Sequence, residues 1–147
     1  MTRIGKFFAL APSDRRLLLR AIAPLFAMRA AVWTLAFARV RRLAEAMSRP
    51  LRAEPDADRA SPDRIAWAVA TASRVVPGGG NCLVRALATG VVLKRYGYPS
   101  ELKIGVTKPA SGRFEAHAWL ESGGSVVIGN FQLDRYVPLA APDSVAR

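Results

Sequence analysis

Helical periodicity up to about Tyr96, followed by strict alternation of apolar and polar residues after Gly97, predicts an α+β fold in which helices precede an antiparallel sheet. A Gly123-Gly124 pair between two alternating segments adds a hairpin to that sheet. At 147 residues, 51% hydrophobic and 22% charged, the chain suits one globular domain with one active site, not a disordered or collagenous protein.

The elements follow in order. Pro12-Ser13-Asp14 predicts a helix start, with Ser13 as the cap and Asp14 against the positive end of the dipole. Pro24 removes an N–H inside the pattern and predicts a kink or break, with a second helix continuing through Trp33, Leu35 and Phe37 to about Met47. Residues 1–49 thus form a basic apolar helical segment that packs on the rest of the chain or on a partner. Residues 50–62 carry three prolines and read as a linker before a catalytic domain over 63–147.

Within that domain Ser61 caps a helix beginning at Pro62, whose stripe of Ile65, Val69, Ala72 and Val76 is the expected buried face. Pro77-Gly78-Gly79-Gly80 ends it. The next helix runs from about Cys82 to Tyr96 and closes at Gly97. Leu102, Ile104 and Val106 then alternate with Glu101, Lys103 and Thr107 as a first strand. Phe114, Ala116, Ala118 and Leu120 form one face of a second, with Glu115, His117, Trp119 and Glu121 on the other. Val126-Val127-Ile128 begins a third.

The net charge is +11, and the cations from Arg3 to Arg52 face only Asp14 and Glu45. Long-range attraction of that sign suits nucleic acid, an anionic membrane surface or an acidic protein partner. No segment before the first helix has the form of a signal peptide, and the uncharged run Ala30–Ala38 falls far short of the roughly 20 apolar residues of a membrane span. A single cysteine permits no internal disulfide, and one cysteine with one histidine supplies no zinc set. The cytoplasm is the expected compartment, with no metal or cofactor.

The chemistry rests on few residues. A glycine-rich turn leading to a cysteine at a helix start places sulfur beside unpaired N–H groups, which favour an anionic thiolate and point donors at an oxyanion formed next to it. Cys82 is that cysteine, and Asn81 before it is a second candidate for the oxyanion region. His117 is the sole imidazole and so the only histidine base. If Gly123-Gly124 is a two-residue turn, Ser122 pairs with Ser125, Trp119 with Ile128 and His117 with Asn130. A Cys82-His117-Asn130 triad is then geometrically available. Glu121 and Asp134 are the competing orienting groups, and Trp119 is expected to shield the site, bind substrate or pack in the core. Gly78-Gly79-Gly80 lacks the Gly-Lys-Ser or Gly-Lys-Thr of a phosphate loop.

Three segments occur together and in order: Gly80-Asn81-Cys82-Leu83-Val84-Arg85-Ala86-Leu87, Gly97-Tyr98-Pro99-Ser100-Glu101-Leu102-Lys103-Ile104-Gly105-Val106 and Phe114-Glu115-Ala116-His117-Ala118-Trp119-Leu120-Glu121. Their wording resembles the leader peptidases of lasso-peptide biosynthesis, a branch of the transglutaminase-like cysteine proteases, over about Trp67 to Leu139. The resemblance implies a transglutaminase/papain-like core with Cys82 as nucleophile and His117 as base. It implies an aspartate as third member where this chain has Asn130. It further implies a precursor-peptide substrate, a separate leader-recognition protein and an ATP-dependent asparagine-synthetase-like cyclase as partners. An acyl transferase or transglutaminase with the same triad is the alternative activity. A non-catalytic basic binding protein is the other, though nucleic-acid binding leaves the cysteine and histidine segments unexplained and is not expected.

Overall fold

The computed structural model describes residues 2–50, 59–78, 80–107, 112, 115–129 and 136–138. Their order is α1 (Arg3–Phe8), α2 (Pro12–Thr34), α3 (Phe37–Met47), α4 (Pro62–Ser73), α5 (Cys82–Arg95), β1 (Glu101–Thr107), β2 (Glu115–Ser122), β3 (Ser125–Ile128) and β4 (Val137–Pro138). The strands form one sheet in the order β3-β2-β1-β4, antiparallel at each pairing. This is the α+β layout that the change of period predicts.

The amino-terminal half differs from the expected one in three places. Helix α2 begins at Pro12 after Ala11, with no side-chain cap, so Ser13 is not the capping residue. Asp14 lies in the first turn, as expected, and also pairs with Arg64 at the start of α4. The helix then passes through Pro24 and ends at Thr34, where Leu35 turns extended. Proline forfeits one hydrogen bond and crowds the preceding turn, but Pro24 is fully buried together with Leu25 and Met28. Packing of that face holds the helix across the missing bond. A short α1, capped by Thr2 through the Gly5 N–H, precedes it and has no counterpart in the expected order.

Helix α2 packs against α4 and α5, and Leu17, Leu18, Ala21, Leu25, Met28 and Ala31 share one core with Ile65, Val69, Val84 and Leu120. By length and composition it is long and apolar enough to cross a membrane, yet one face is committed to this core. Polar ties reinforce the arrangement: the Arg20 guanidinium donates to the Tyr96 hydroxyl at 2.7 Å, and Arg95 Nε to the Met47 carbonyl at 2.6 Å. Most of the proposed linker lies outside the described residues; the helices before it are part of the fold and not an appendage.

Helices α4 and α5 match expectation. Ser61 caps α4 by accepting from the Arg64 N–H, and Ile65, Val69, Ala72 and Val76 are buried. Helix α5 is buried from Ala86 through Leu93, and Gly97, at φ +83°, takes the left-handed position after its end. One sheet face, with Ala118, Leu120 and Ile128 buried in it and Leu102 and Ile104 beside them, closes the core against these helices.

Since α2 supplies the centre of the core, deleting residues 1–48 is expected to leave a chain without a cooperative thermal transition by circular dichroism. Leu25→Ala in the full chain should cost about 3 kcal/mol in a denaturant titration.

Candidate active site

Cys82 is the first residue of α5 and is half-buried against the core. Asn81 precedes it as the helix cap, its Oδ1 accepting from the Leu83 N–H at 2.9 Å and the Val84 N–H at 3.4 Å. This is the use the structure gives Asn81. It satisfies two of the first-turn donors and leaves the Cys82 N–H without an acceptor among the described residues. That donor lies beside the sulfur, where a tetrahedral oxyanion needs one. The preceding turn is closed by Asn81 N–H to the Gly78 carbonyl, with Gly78 at φ +71°. A β-carbon on Gly78 would run into the Arg29 side chain, 1.9 Å from its Nε, so the glycine lets α2 pass close under the turn.

His117 stands in β2 opposite Gly105 of β1. The pleat turns it to the sheet face that bears Trp119, away from the face on which Ala118 and Leu120 meet the helices. The structure gives no hydrogen bond between the imidazole and Cys82 among the described residues. What it gives is a built seat for the imidazole. The Trp119 ring stacks alongside at 6.1 Å between centroids and 21° between planes, and the Tyr136 ring lies at 5.2 Å. Gly105 makes room for both aromatics, since a β-carbon there would stand 2.8 Å from Tyr136 Cβ and 2.9 Å from the Trp119 ring.

The fourth side of the seat is the backbone. His117 Nε2 lies 2.6 Å from the Gly129 carbonyl oxygen. A carbonyl only accepts, so Nε2 carries the proton and donates, and the neutral ring keeps Nδ1 as its lone-pair nitrogen. A group that holds one imidazole nitrogen as a donor, so that the other serves as base, is the orienting member of a nucleophile-histidine pair.

The expected register is corrected at this point. Ser122 pairs with Ser125 and Glu121 with Val126 as the Gly-Gly turn requires, but a bulge between Leu120 and Glu121 then sets Leu120, not Trp119, opposite Ile128. An extra residue in one strand shifts every later partner by one. The unbroken ladder that was to set His117 opposite Asn130 is therefore not formed, and Gly129 fills the role of contact to the ring. Asn130 and Asp134 lie outside the described residues. Glu121 accepts from Trp119 Nε1 at 3.2 Å and so holds the indole, which is 4% exposed. Trp119 thereby supports the histidine from within the fold.

A family model described as the transglutaminase-like superfamily matches residues 24–141, from the middle of α2 to beyond β4. The chain belongs to that superfamily. Searches of curated proteins and of solved structures returned no match. Transglutaminase-like proteins are cysteine proteases and transglutaminases, and both chemistries begin with a thiolate attacking an acyl carbon and a histidine moving its proton. Gly105, Gly129 and Tyr136 escaped the sequence reading. Of the three only Gly105 carried a signal, as a lone glycine inside an alternating strand at the position that pairs with His117.

Gly105→Ala is expected to displace Trp119 and Tyr136 and so unseat the imidazole. The checks are a changed near-ultraviolet circular dichroism band with unchanged far-ultraviolet signal, and at least a tenfold loss in turnover.

Proposed function

We propose that this transglutaminase-like protein is a cysteine peptidase that removes the leader from a lasso-peptide precursor. The observation that carries the reading is the seated histidine, held through Nε2 by the Gly129 carbonyl with Nδ1 left as base, in a chain whose sole cysteine begins a capped helix. The wording of the segments around Cys82, Gly105 and His117 supports the substrate class.

In this mechanism His117 Nδ1 takes the Cys82 proton and the thiolate attacks the carbonyl carbon of the leader–core amide. The oxyanion is held by the Cys82 N–H. The tetrahedral intermediate collapses as the imidazolium returns the proton to the departing amine, which leaves as the free α-amine of the core peptide. Water, deprotonated at Nδ1, then cleaves the leader thioester and restores the thiol. Each step needs sulfur within hydrogen-bond reach of Nδ1. Among the described residues His117 lies on the sheet face turned from the helices and makes no hydrogen bond with Cys82, so the mechanism requires the turn before Cys82 and the end of β2 to come together when substrate binds. A separate leader-recognition protein supplies substrate affinity by raising the local concentration of the precursor. The released amine is the group an asparagine-synthetase-like cyclase activates a side chain to receive. Asn130 is assigned an auxiliary part beside Gly129, since a backbone carbonyl already orients the ring.

An acyl transferase with the same pair differs only in what attacks the thioester. Mass spectrometry of precursor products formed with and without an added primary amine distinguishes them: hydrolysis alone supports the peptidase, and an amide of the leader with the amine supports the transferase.

Cys82→Ala and His117→Ala should abolish leader removal, because no other thiol or imidazole exists in the chain. Asn130→Ala should retain activity within about tenfold, as expected of a group that shares the orientation of the ring with Gly129. A cleavage time course on variants first checked for folding reads all three. Turnover by Cys82→Ala would remove the covalent mechanism.

A further inference from the structure

Residues 15–44 hold seven arginines and no acidic residue, and large apolar side chains are exposed along the same stretch. On α2, Leu19, Phe26 and Trp33 are 58%, 52% and 79% exposed. They recur every seventh residue, with exposed Ala23 and Ala30 between them. Residues at that spacing share one helix face, here about 21 Å long at 1.5 Å per residue. The face continues into the α2–α3 corner, where every residue from Trp33 to Arg39 is exposed, Leu35 and Phe37 among them. The opposite face of α2 is buried in the core, so this stripe has no part in the fold.

We infer that this stripe and corner seat the protein on an anionic lipid bilayer, with α2 lying along the surface and Trp33, Leu35 and Phe37 entering the headgroup boundary. Three features favour a bilayer over a protein occupant. The apolar groups project singly from a helix and a corner instead of lining a groove, which suits a fluid interface. Their kind, tryptophan and phenylalanine beside arginine, is that of interfacial anchors. Arg29 stacks its guanidinium 5.0 Å above the Trp33 ring, so the aromatic enters with its cation already at headgroup level. A second copy of the chain is disfavoured by charge, since pairing like faces would bring Arg29 and Arg39 against their own counterparts with no acid to offset them.

The seat is coupled in space to the candidate site. Arg29 lies against Gly78, four residues before Cys82. Seating the corner therefore places the turn that leads to the nucleophile at the membrane surface. The inference does not depend on the substrate proposed above, because its readouts need no turnover.

The test is sedimentation of the full-length protein with vesicles of phosphatidylcholine, alone or mixed equally with phosphatidylglycerol, together with tryptophan fluorescence. Of the three tryptophans Trp67 is partly buried and Trp119 buried, so a shift reports mainly Trp33. Binding to the anionic vesicles should be stronger than to the neutral ones by on the order of a hundredfold, the gain expected from a few arginines near such a surface. It should fall steeply with added salt and be accompanied by a blue shift. Trp33→Ser with Phe37→Ser should lose binding and shift while the far-ultraviolet spectrum is unchanged. Arg39→Glu with Arg42→Glu should lose the preference for anionic lipid. Equal binding to both vesicles, binding unaffected by the serine pair, or burial of Trp33 by an acidic protein but not by vesicles would each overturn the inference.

Discussion

Helix α5 is the constraint on which the rest of the molecule depends. It lies between α2 and α4 on one side and the sheet on the other, and its middle is buried from Ala86 to Leu93. The Leu120 side chain covers Gly90, where a β-carbon would find it at ordinary contact distance, 3.5 Å. A helix held on all sides has a fixed axis, and a fixed axis gives its first residue a fixed place. That residue is Cys82. The half-buried thiol is thus positioned by the core that the helix packs into from Val84 onward, which is how a fold supplies rigidity to a reactive group.

The same core explains why α2 is continuous. Breaking it at Pro24 would pull Leu25 and Met28 from the core they share with Ile65 and Leu93, at about 2–5 kcal/mol for each, whereas the one backbone hydrogen bond that proline forfeits leaves a single carbonyl unsatisfied, at about 1–3 kcal/mol. The break falls instead at Leu35-Ala36, where every residue is exposed and no packing opposes a turn. Local propensity and tertiary packing compete at Pro24, and packing wins.

Much of this was legible in the residues. Ser61-Pro62, Asn81-Cys82 and Tyr96-Gly97 mark helix ends by the chemistry of orphan N–H and C=O groups, which is local and so readable in sequence. Alternation assigned both strands and the face that bears His117. The Gly123-Gly124 turn, with both residues at positive φ, pairs Ser122 with Ser125 as read. Failure began after the next pair, Glu121 with Val126, at the shift before Leu120. Nothing in Glu121, Val126 or Val127 announces a bulge, because a bulge answers to how the strand must bend over its neighbours and not to its own side chains. The seat formed by Tyr136 was equally unreadable, since it joins His117 of β2 to the residue just before β4, whose approach only the sheet order β3-β2-β1-β4 determines.

The bulge has a chemical consequence that the regular ladder would not have had. Gly129, at φ +85°, stands where a β-carbon would collide with the Ala118 carbonyl and with Trp119. Only glycine lets the backbone turn there and aim its carbonyl at His117 Nε2. A carbonyl in this role keeps the imidazole in one tautomer but brings no full negative charge, so it orients the base without favouring the imidazolium as a carboxylate would. In a Cys-His pair the thiolate itself is the counter-ion of the imidazolium, and a second anion beside the ring is therefore less needed than in a serine enzyme. Under the proposed mechanism, an asparagine in place of an aspartate next to Gly129 in the sequence is consistent with that economy, because the Gly129 carbonyl supplies the orientation.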